Sequence, residues 1–229
     1  MQSSFIPSAV IFDMDGLLLD SERKSQEVLL KAAEILGAPL TPELALKMVG
    51  RNASSGQIYL TELFGNSILV DTFIQTATQL YEAEFEGGRI PLKTGVNELL
   101  DTLDELKIPR AIATSTKRHI AIRKLTKVGV VTRFNYIVGG DEVAHGKPAP
   151  DIYLKACSFL STSPKDCLAC EDSAFGIEAA HTAGLRAILV PDLIAPTERM
   201  ISHAWKVLPS LHEVSSLVRE LRGSVVPTV

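Results

Sequence analysis

Ala9-Val10-Ile11-Phe12-Asp13-Met14-Asp15-Gly16 decides how the rest of the chain is read. Four apolar residues make a short buried strand, and the strand runs straight into two carboxylates. Asp is a poor strand residue, and an uncompensated buried carboxylate is costly. A strand ending this way needs something to compensate the charge at its tip. Asp13 and Asp15 are two residues apart, so in extended chain they project to one side. Gly16 permits a sharp turn directly afterwards. On its own, Asp13-x-Asp15 reads equally as a turn or as the metal-binding pair of another enzyme class.

Working outward, the pattern is helical from Ser21 to about Glu86. Ser21 caps a first helix with an apolar face of Val28, Leu29, Ala32, Ala33 and Leu36, stopped by Gly37. Thr41-Pro42 starts a second helix. Ser54 or Ser55 opens a third, and Asp71 caps a fourth that ends at Gly87-Gly88. After that, strands alternate with helices. Short strands are expected at Ala111–Ala113, Tyr136–Val138, Cys167–Cys170 and Ala187–Val190. Between and beyond them helices are expected, the last two at Pro196–Ala204 and His212–Leu221, before a loose tail from Gly223. Such alternation predicts right-handed βαβ units and a parallel sheet. The expected fold is therefore α/β. A Rossmann-like parallel sheet core is formed by residues 1–19 and 90–229, and a four-helix, bundle-like cap is inserted over residues 20–89.

Composition narrows the function. Hydrophobic residues make up 46% and charged residues 22%, as in an ordinary soluble globular protein, and the net charge of -4 gives no basic footprint for nucleic acid or anionic membrane. No apolar run reaches the roughly 18 residues of a membrane helix. The N-terminus has no basic n-region, so a cytoplasmic protein is expected. The three cysteines do not form a disulfide framework. Cys167 and Cys170 have C-x-x-C spacing, but three residues of strand span roughly 10 Å, beyond the roughly 7 Å reach of a disulfide. They read as small core residues.

Polar residues recur where each strand stops. Asp13 and Asp15 follow the first, and Thr114-Ser115-Thr116-Lys117 the second. Lys147-Pro148 lies in the loop after the third, and Glu171-Asp172-Ser173 follows the fourth. Each cluster has a plain alternative: Thr114 and Thr116 as helix caps, Lys147 as a solvated charge, Glu171-Asp172 as the cap of the next helix. In a parallel sheet, however, all four strand ends share one rim, where ligands bind.

This constellation resembles the haloacid dehalogenase superfamily. Asp13-Met14-Asp15-Gly16-Leu17-Leu18-Leu19-Asp20-Ser21-Glu22 is similar to its first motif, Ala113-Thr114-Ser115 to the second, Gly146-Lys147-Pro148-Ala149-Pro150-Asp151 to the third and Glu171-Asp172-Ser173-x-x-Gly176-Ile177 to the fourth. The insertion after the first motif is similar to the type 1 cap of the β-phosphoglucomutase and phosphoglycolate phosphatase branch. The resemblance implies a Mg²⁺-dependent phosphatase acting on a small-molecule phosphomonoester. Asp13 would attack phosphorus, and Asp15 would protonate the leaving oxygen and then activate water. Lys147 and Thr114 would steady the charges. The metal ligands would be the Asp13 side chain, the Asp15 backbone carbonyl and Asp172, with Glu171 as an additional one.

Asp15 favours phosphoester chemistry over dehalogenation, because an alkoxide leaving group needs a proton and a halide does not. The β-phosphoglucomutase pattern carries a histidine early in the cap, and this chain has Ser25 there and no histidine before residue 119. The expectation is a phosphatase for a sugar phosphate or phosphoglycolate-like substrate. The alternatives are a phosphomutase and a catalytically silent phosphate-binding protein. Substrate contacts are expected from Arg51, in the loop Val49-Gly50-Arg51-Asn52, and from Ser115 and Arg118. A monomer or weak dimer is expected.

Overall fold

The computed structural model describes residues 5–49, 51, 53–88 and 90–223. The chain divides between Leu18 and Leu19, and again between Pro91 and Leu92, into two compact units. Strand β1 (Ala9–Phe12) is followed by helices α1 (Ser21–Leu36), α2 (Pro42–Leu46), α3 (Ala53–Phe64) and α4 (Ser67–Glu86). Then come α5 (Val96–Glu105), β2 (Arg110–Ala113), α6 (Arg118–Lys127), β3 (Tyr136–Val138), α7 (Asp151–Phe159) and β4 (Cys167–Glu171). The chain closes with α8 (Ala174–Thr182), β5 (Arg186–Leu189), α9 (Glu198–His203), β6 (Lys206–Val207) and α10 (Leu211–Gly223). Apart from Gly223, the expected C-terminal tail lies outside the described residues.

The sheet unit holds a parallel sheet in the order β3-β2-β1-β4-β5-β6 among the described residues. β1 is central and every residue in it is buried, as expected of a parallel strand covered on both faces. The direction of winding reverses between β1 and β4, the point where α/β sheets open a crevice. Register fixes what meets there. Phe12 pairs with Ile112 on one side and Cys170 on the other. Asp13 directly follows Phe12, Glu171 is the last residue of β4 and Thr114 directly follows the last residue of β2, so the three lie at one end of the sheet. Ile11, Ala111, Val138, Tyr153, Ala169 and Leu189 belong to one buried cluster around these strands. β6 has two exposed residues and carries no alternation by which a sequence could announce it.

The helical unit has its own core, with Val28 and Ala32 from α1, Leu60 from α3 and Val70, Phe73 and Ala77 from α4. Thr41 caps α2 through the Leu44 amide. α4 starts earlier than the sequence suggests. Asn66, not Asp71, is its cap, because the side-chain oxygen Oδ1 of Asn66 accepts from the amides of both Ile68 and Leu69. Asp71 lies inside the helix and accepts from Gln57. Ser21 is the first helical residue rather than the cap, which is Asp20. No helix among the described residues is long and apolar enough to cross a membrane.

Candidate active site

The end of β1 carries Asp13 into a buried position, with 7% of its surface exposed. Its backbone amide donates to the Cys170 carbonyl, so β4 holds it in place. Lys147 arrives from the loop before α7 and is buried as well. Its ammonium donates to Asp13 Oδ1 at 2.5 Å and to Glu171 Oε1 at 2.5 Å. A buried charge is tolerated only when paired, and here one ammonium serves two carboxylates.

Glu171 is fully buried and saturated with donors. Oε1 also accepts from the Tyr153 hydroxyl of α7 at 2.6 Å. Oε2 accepts from the amides of Asp172 and Ser173 and from the Ser173 hydroxyl. Ser173 Oγ in turn accepts from the Gly176 amide and caps α8. Gly176 lets the first turn of α8 close over this carboxylate, since a Cβ there would lie 1.9 Å from the Glu171 carboxyl. Oxygens of Asp13, Glu171 and Asp172 all lie within 4.8 Å of one another.

Burial pushes the Asp13 carboxyl up to about 7; Lys147 opposes this rise, while the charges of Glu171 and Asp15 add to it. Burial alone would lower Lys147, but the facing carboxylates Asp13 and Glu171 outweigh it and raise the ammonium above its ordinary value. Three carboxylates share this cluster with one ammonium, and the donors are all hard oxygens. Asp13 and Asp172 offer the hard oxygens that a Mg²⁺-sized divalent cation takes, while both oxygens of Glu171 are engaged by hydrogen bonds.

Thr114, just past β2, is buried. Its hydroxyl oxygen accepts from the Thr116 amide at 3.1 Å, so its O–H stays a donor. Thr116 does not cap α6. Its hydroxyl donates to Asp15 Oδ2 at 2.7 Å, and the first amide of α6, that of Arg118, is met by Asp141 instead. Asp15 Oδ1 accepts from Lys124 of α6 at 2.7 Å.

The remaining sequence candidates make contacts of their own. Ser115 is exposed, and its carbonyl faces Gly140, where a Cβ would approach to 2.4 Å. Arg118 is not brought to the cluster. Its guanidinium donates to the Ile137 carbonyl, lies 3.6 Å from Glu142 and sits over the Tyr136 ring, tying α6 to the edge of the sheet. Arg51, in the helical unit, donates to the Lys47 carbonyl and lies over Tyr59. Its neighbours Gly50 and Asn52 lie outside the described residues. The three cysteines are free and buried. Cys167 lies beside Cys157, with the sulfurs 3.9 Å apart, rather than beside Cys170.

Lys124 and Tyr153 are the participants that sequence reading missed. Neither carries a motif of its own, since each acts on an acid outside its own stretch of chain, Lys124 on Asp15 and Tyr153 on Glu171.

Known proteins share this plan. The model of the haloacid dehalogenase-like hydrolases matches residues 10–190. The phosphorylated carbohydrates phosphatase of Thermotoga maritima is 33% identical over 180 residues, which cover 79% of this chain and 83% of that protein. A probable pseudouridine-5'-phosphatase of Drosophila melanogaster is 32% identical over 207 residues, 88% of each chain. CbbY from Rhodobacter sphaeroides, crystallised in complex with phosphate, superposes with a TM-score of 0.73 at 25% identity, over 91% of this chain and 96% of that one. This chain belongs to the haloacid dehalogenase-like hydrolase family and is an enzyme, a hydrolase built on that family's α/β fold.

Proposed function

We propose that this hydrolase removes the phosphoryl group from a small phosphomonoester, a sugar phosphate or phosphoglycolate-like compound, through an aspartyl-phosphate on Asp13 and with Mg²⁺ as cofactor. The observation that carries the reading is the buried ammonium of Lys147, held between Asp13 and Glu171 at the switch point of the sheet. Two relatives are named for phosphorylated carbohydrates and for pseudouridine 5'-phosphate, and the CbbY structure holds phosphate, which supports a phosphorylated small molecule as substrate.

Asp13 is the nucleophile. An ionised carboxylate attacking a phosphate dianion meets like-charge repulsion, so the site must supply positive charge. Lys147 gives a fixed part of it to Asp13 Oδ1 and to the oxygens of the incoming phosphoryl group. The Thr114 hydroxyl donates to the same oxygens. Asp15 protonates the departing alkoxide, then takes a proton from the water that hydrolyses the aspartyl-phosphate. Asp13, Asp172 and the Asp15 backbone carbonyl would hold Mg²⁺, which when bound neutralises charge on the transferring group. We assign Glu171 to holding Lys147, because both its oxygens already accept hydrogen bonds.

The unit Leu19–Pro91, inserted in the chain four residues after Asp15, takes the part of a cap that sets specificity, with Arg51 as its first candidate contact. Hydrolysis is favoured over mutase chemistry because the early cap histidine of β-phosphoglucomutase is replaced by Ser25.

The test is phosphate release from a panel of hexose and pentose phosphates, phosphoglycolate, nucleoside monophosphates and β-glucose 1-phosphate, with and without Mg²⁺. Mg²⁺-dependent release is expected from at least one sugar phosphate or from phosphoglycolate. Conversion of β-glucose 1-phosphate to glucose 6-phosphate without phosphate release would establish the mutase instead. Silence toward every compound would leave a phosphate-binding protein.

A further inference from the structure

Lys124 is out of place as a helix-surface lysine. Its side chain is 9% exposed, and its ammonium lies 2.7 Å from Oδ1 of Asp15, 109 residues away in the chain. The other oxygen of the same carboxylate, Oδ2, accepts from the Thr116 hydroxyl at 2.7 Å. The two donors differ in kind. An ammonium has only donors, whereas a hydroxyl can donate or, by turning, accept. An oxygen facing Lys124 has no room for a proton pointed at the ammonium. An oxygen facing Thr116 can lose or hold one while keeping its hydrogen bond.

We propose that Lys124 is a positioning residue for proton transfer: it clamps Oδ1 of Asp15 and leaves Oδ2, partnered by Thr116, as the oxygen that gives and takes the proton. This rests on the reading of Asp15 as acid and base. In the first half-reaction Oδ2 gives its proton to the ester oxygen as the bond from that oxygen to phosphorus breaks and the bond from Asp13 to phosphorus forms. The alcohol leaves neutral. In the second, Oδ2 takes a proton from water, whose oxygen ends in inorganic phosphate, and Asp13 is released. The clamp also keeps the carboxylate from swinging away, which matters because proton donation depends on reach and angle.

A purely structural ion pair, tying α6 to the loop after β1, would affect every substrate alike. The two roles separate by leaving group. Nitrophenolate departs without a proton, whereas an alkoxide needs one. Single-turnover rates of alcohol release are measured on the Mg²⁺-loaded full chain with p-nitrophenyl phosphate and with glycerol 2-phosphate, for wild type, Lys124→Met, Lys124→Arg, Thr116→Val and Asp15→Asn.

Lys124→Met is expected to slow the alkyl ester at least tenfold more than the aryl ester, and Lys124→Arg to restore most of the loss. Thr116→Val is expected to show the same selectivity and carries the test alone if Lys124→Met does not fold. Equal slowing of both esters, or of neither, in Lys124→Met and Thr116→Val overturns the positioning role while Asp15→Asn still discriminates between them. If Asp15→Asn does not discriminate, the acid–base reading of Asp15 fails first and the inference falls with it.

Discussion

The ammonium of Lys147 and the Oδ1 oxygen of Asp13 lie 2.5 Å apart and 134 residues distant in sequence, both buried at the end of the central strand. The pair answers what the first strand asks for: a positive group at its tip. Glu171 completes it by holding the other side of the ammonium, so the charge sits at a fixed point and does not sweep through solvent.

Removing that charge while keeping its volume should be costly to rate. Lys147→Met is expected to lower kcat by about 10²–10³-fold, the scale of losing one preorganised electrostatic contact in an active site. Steady-state kinetics on whichever phosphomonoester proves best would check this. A loss of less than about threefold would mean that Lys147 serves structure only.

Tyr153 reaches the cluster only through Glu171, donating to Oε1 at 2.6 Å from a fully buried position. Tyr153→Phe leaves a buried carboxylate oxygen with one donor fewer. The expected cost is about 1.5–3 kcal/mol of stability, the range for hydrogen bonds to charged groups. Denaturant unfolding measures it. A variant as stable as wild type would show that the Tyr153 hydroxyl contributes nothing to holding Glu171.

Gly176 is required for space, not for backbone conformation. A methyl group there collides with the Glu171 carboxyl, which hydrogen bonds hold on both oxygens. Gly176→Ala is expected to destabilise by about 1–3 kcal/mol, as overpacking does, and to lower activity by shifting Glu171 and with it Lys147. Gly146→Ala is the control, because a Cβ there meets nothing within 4 Å. Equal effects at the two positions would contradict the account.

The raised Asp13 carboxyl gives a pH dependence with a definite sign. Its folded value is about 7 against 3.8 for the free group, with burial as the main cause. Between those values the folded metal-free protein keeps a proton that the unfolded chain has lost. Its contribution to stability therefore falls as pH rises through that window and is level above it. The melting temperature of Asp13→Asn, relative to wild type, is expected to climb from pH 4 to pH 7 in chelator. Mg²⁺ at pH 7 is expected to narrow the gap by binding the folded wild type. A gap that is flat with pH and unmoved by Mg²⁺ would contradict the charge balance described for the site.

The sheet and its rim were legible because they rest on local patterns. Ala9–Phe12 and Cys167–Cys170 are apolar runs ending in acids, and alternation with helices implies that their ends meet. Three of the four polar clusters could be read because each adjoins a strand end, whereas Lys147-Pro148 lies in the long loop after Val138 and could be read only from its motif. What escaped depends on distant partners. Nothing near Lys124 shows that Asp15 awaits it, and nothing near Tyr153 points to Glu171. Thr116 looked like a cap for α6 because it precedes a helix; Asp141, 25 residues on, took that task and freed the hydroxyl for Asp15. Asn66 displaced Asp71 as the start of α4 because two amides could reach its side chain. Arg118 looked available to a substrate, yet the edge of the sheet holds it through Ile137 and Glu142.

The central claim is that Asp13 takes the phosphoryl group covalently. Rapid acid quench of the Mg²⁺-loaded enzyme with a ³²P-labelled substrate, followed by digestion and peptide mapping, tests it most directly. A hydroxylamine-labile label is expected on the peptide carrying Asp13, formed within one turnover and absent from Asp13→Asn. Phosphate release with no labelled protein at any time point, or a label on another residue, would contradict it.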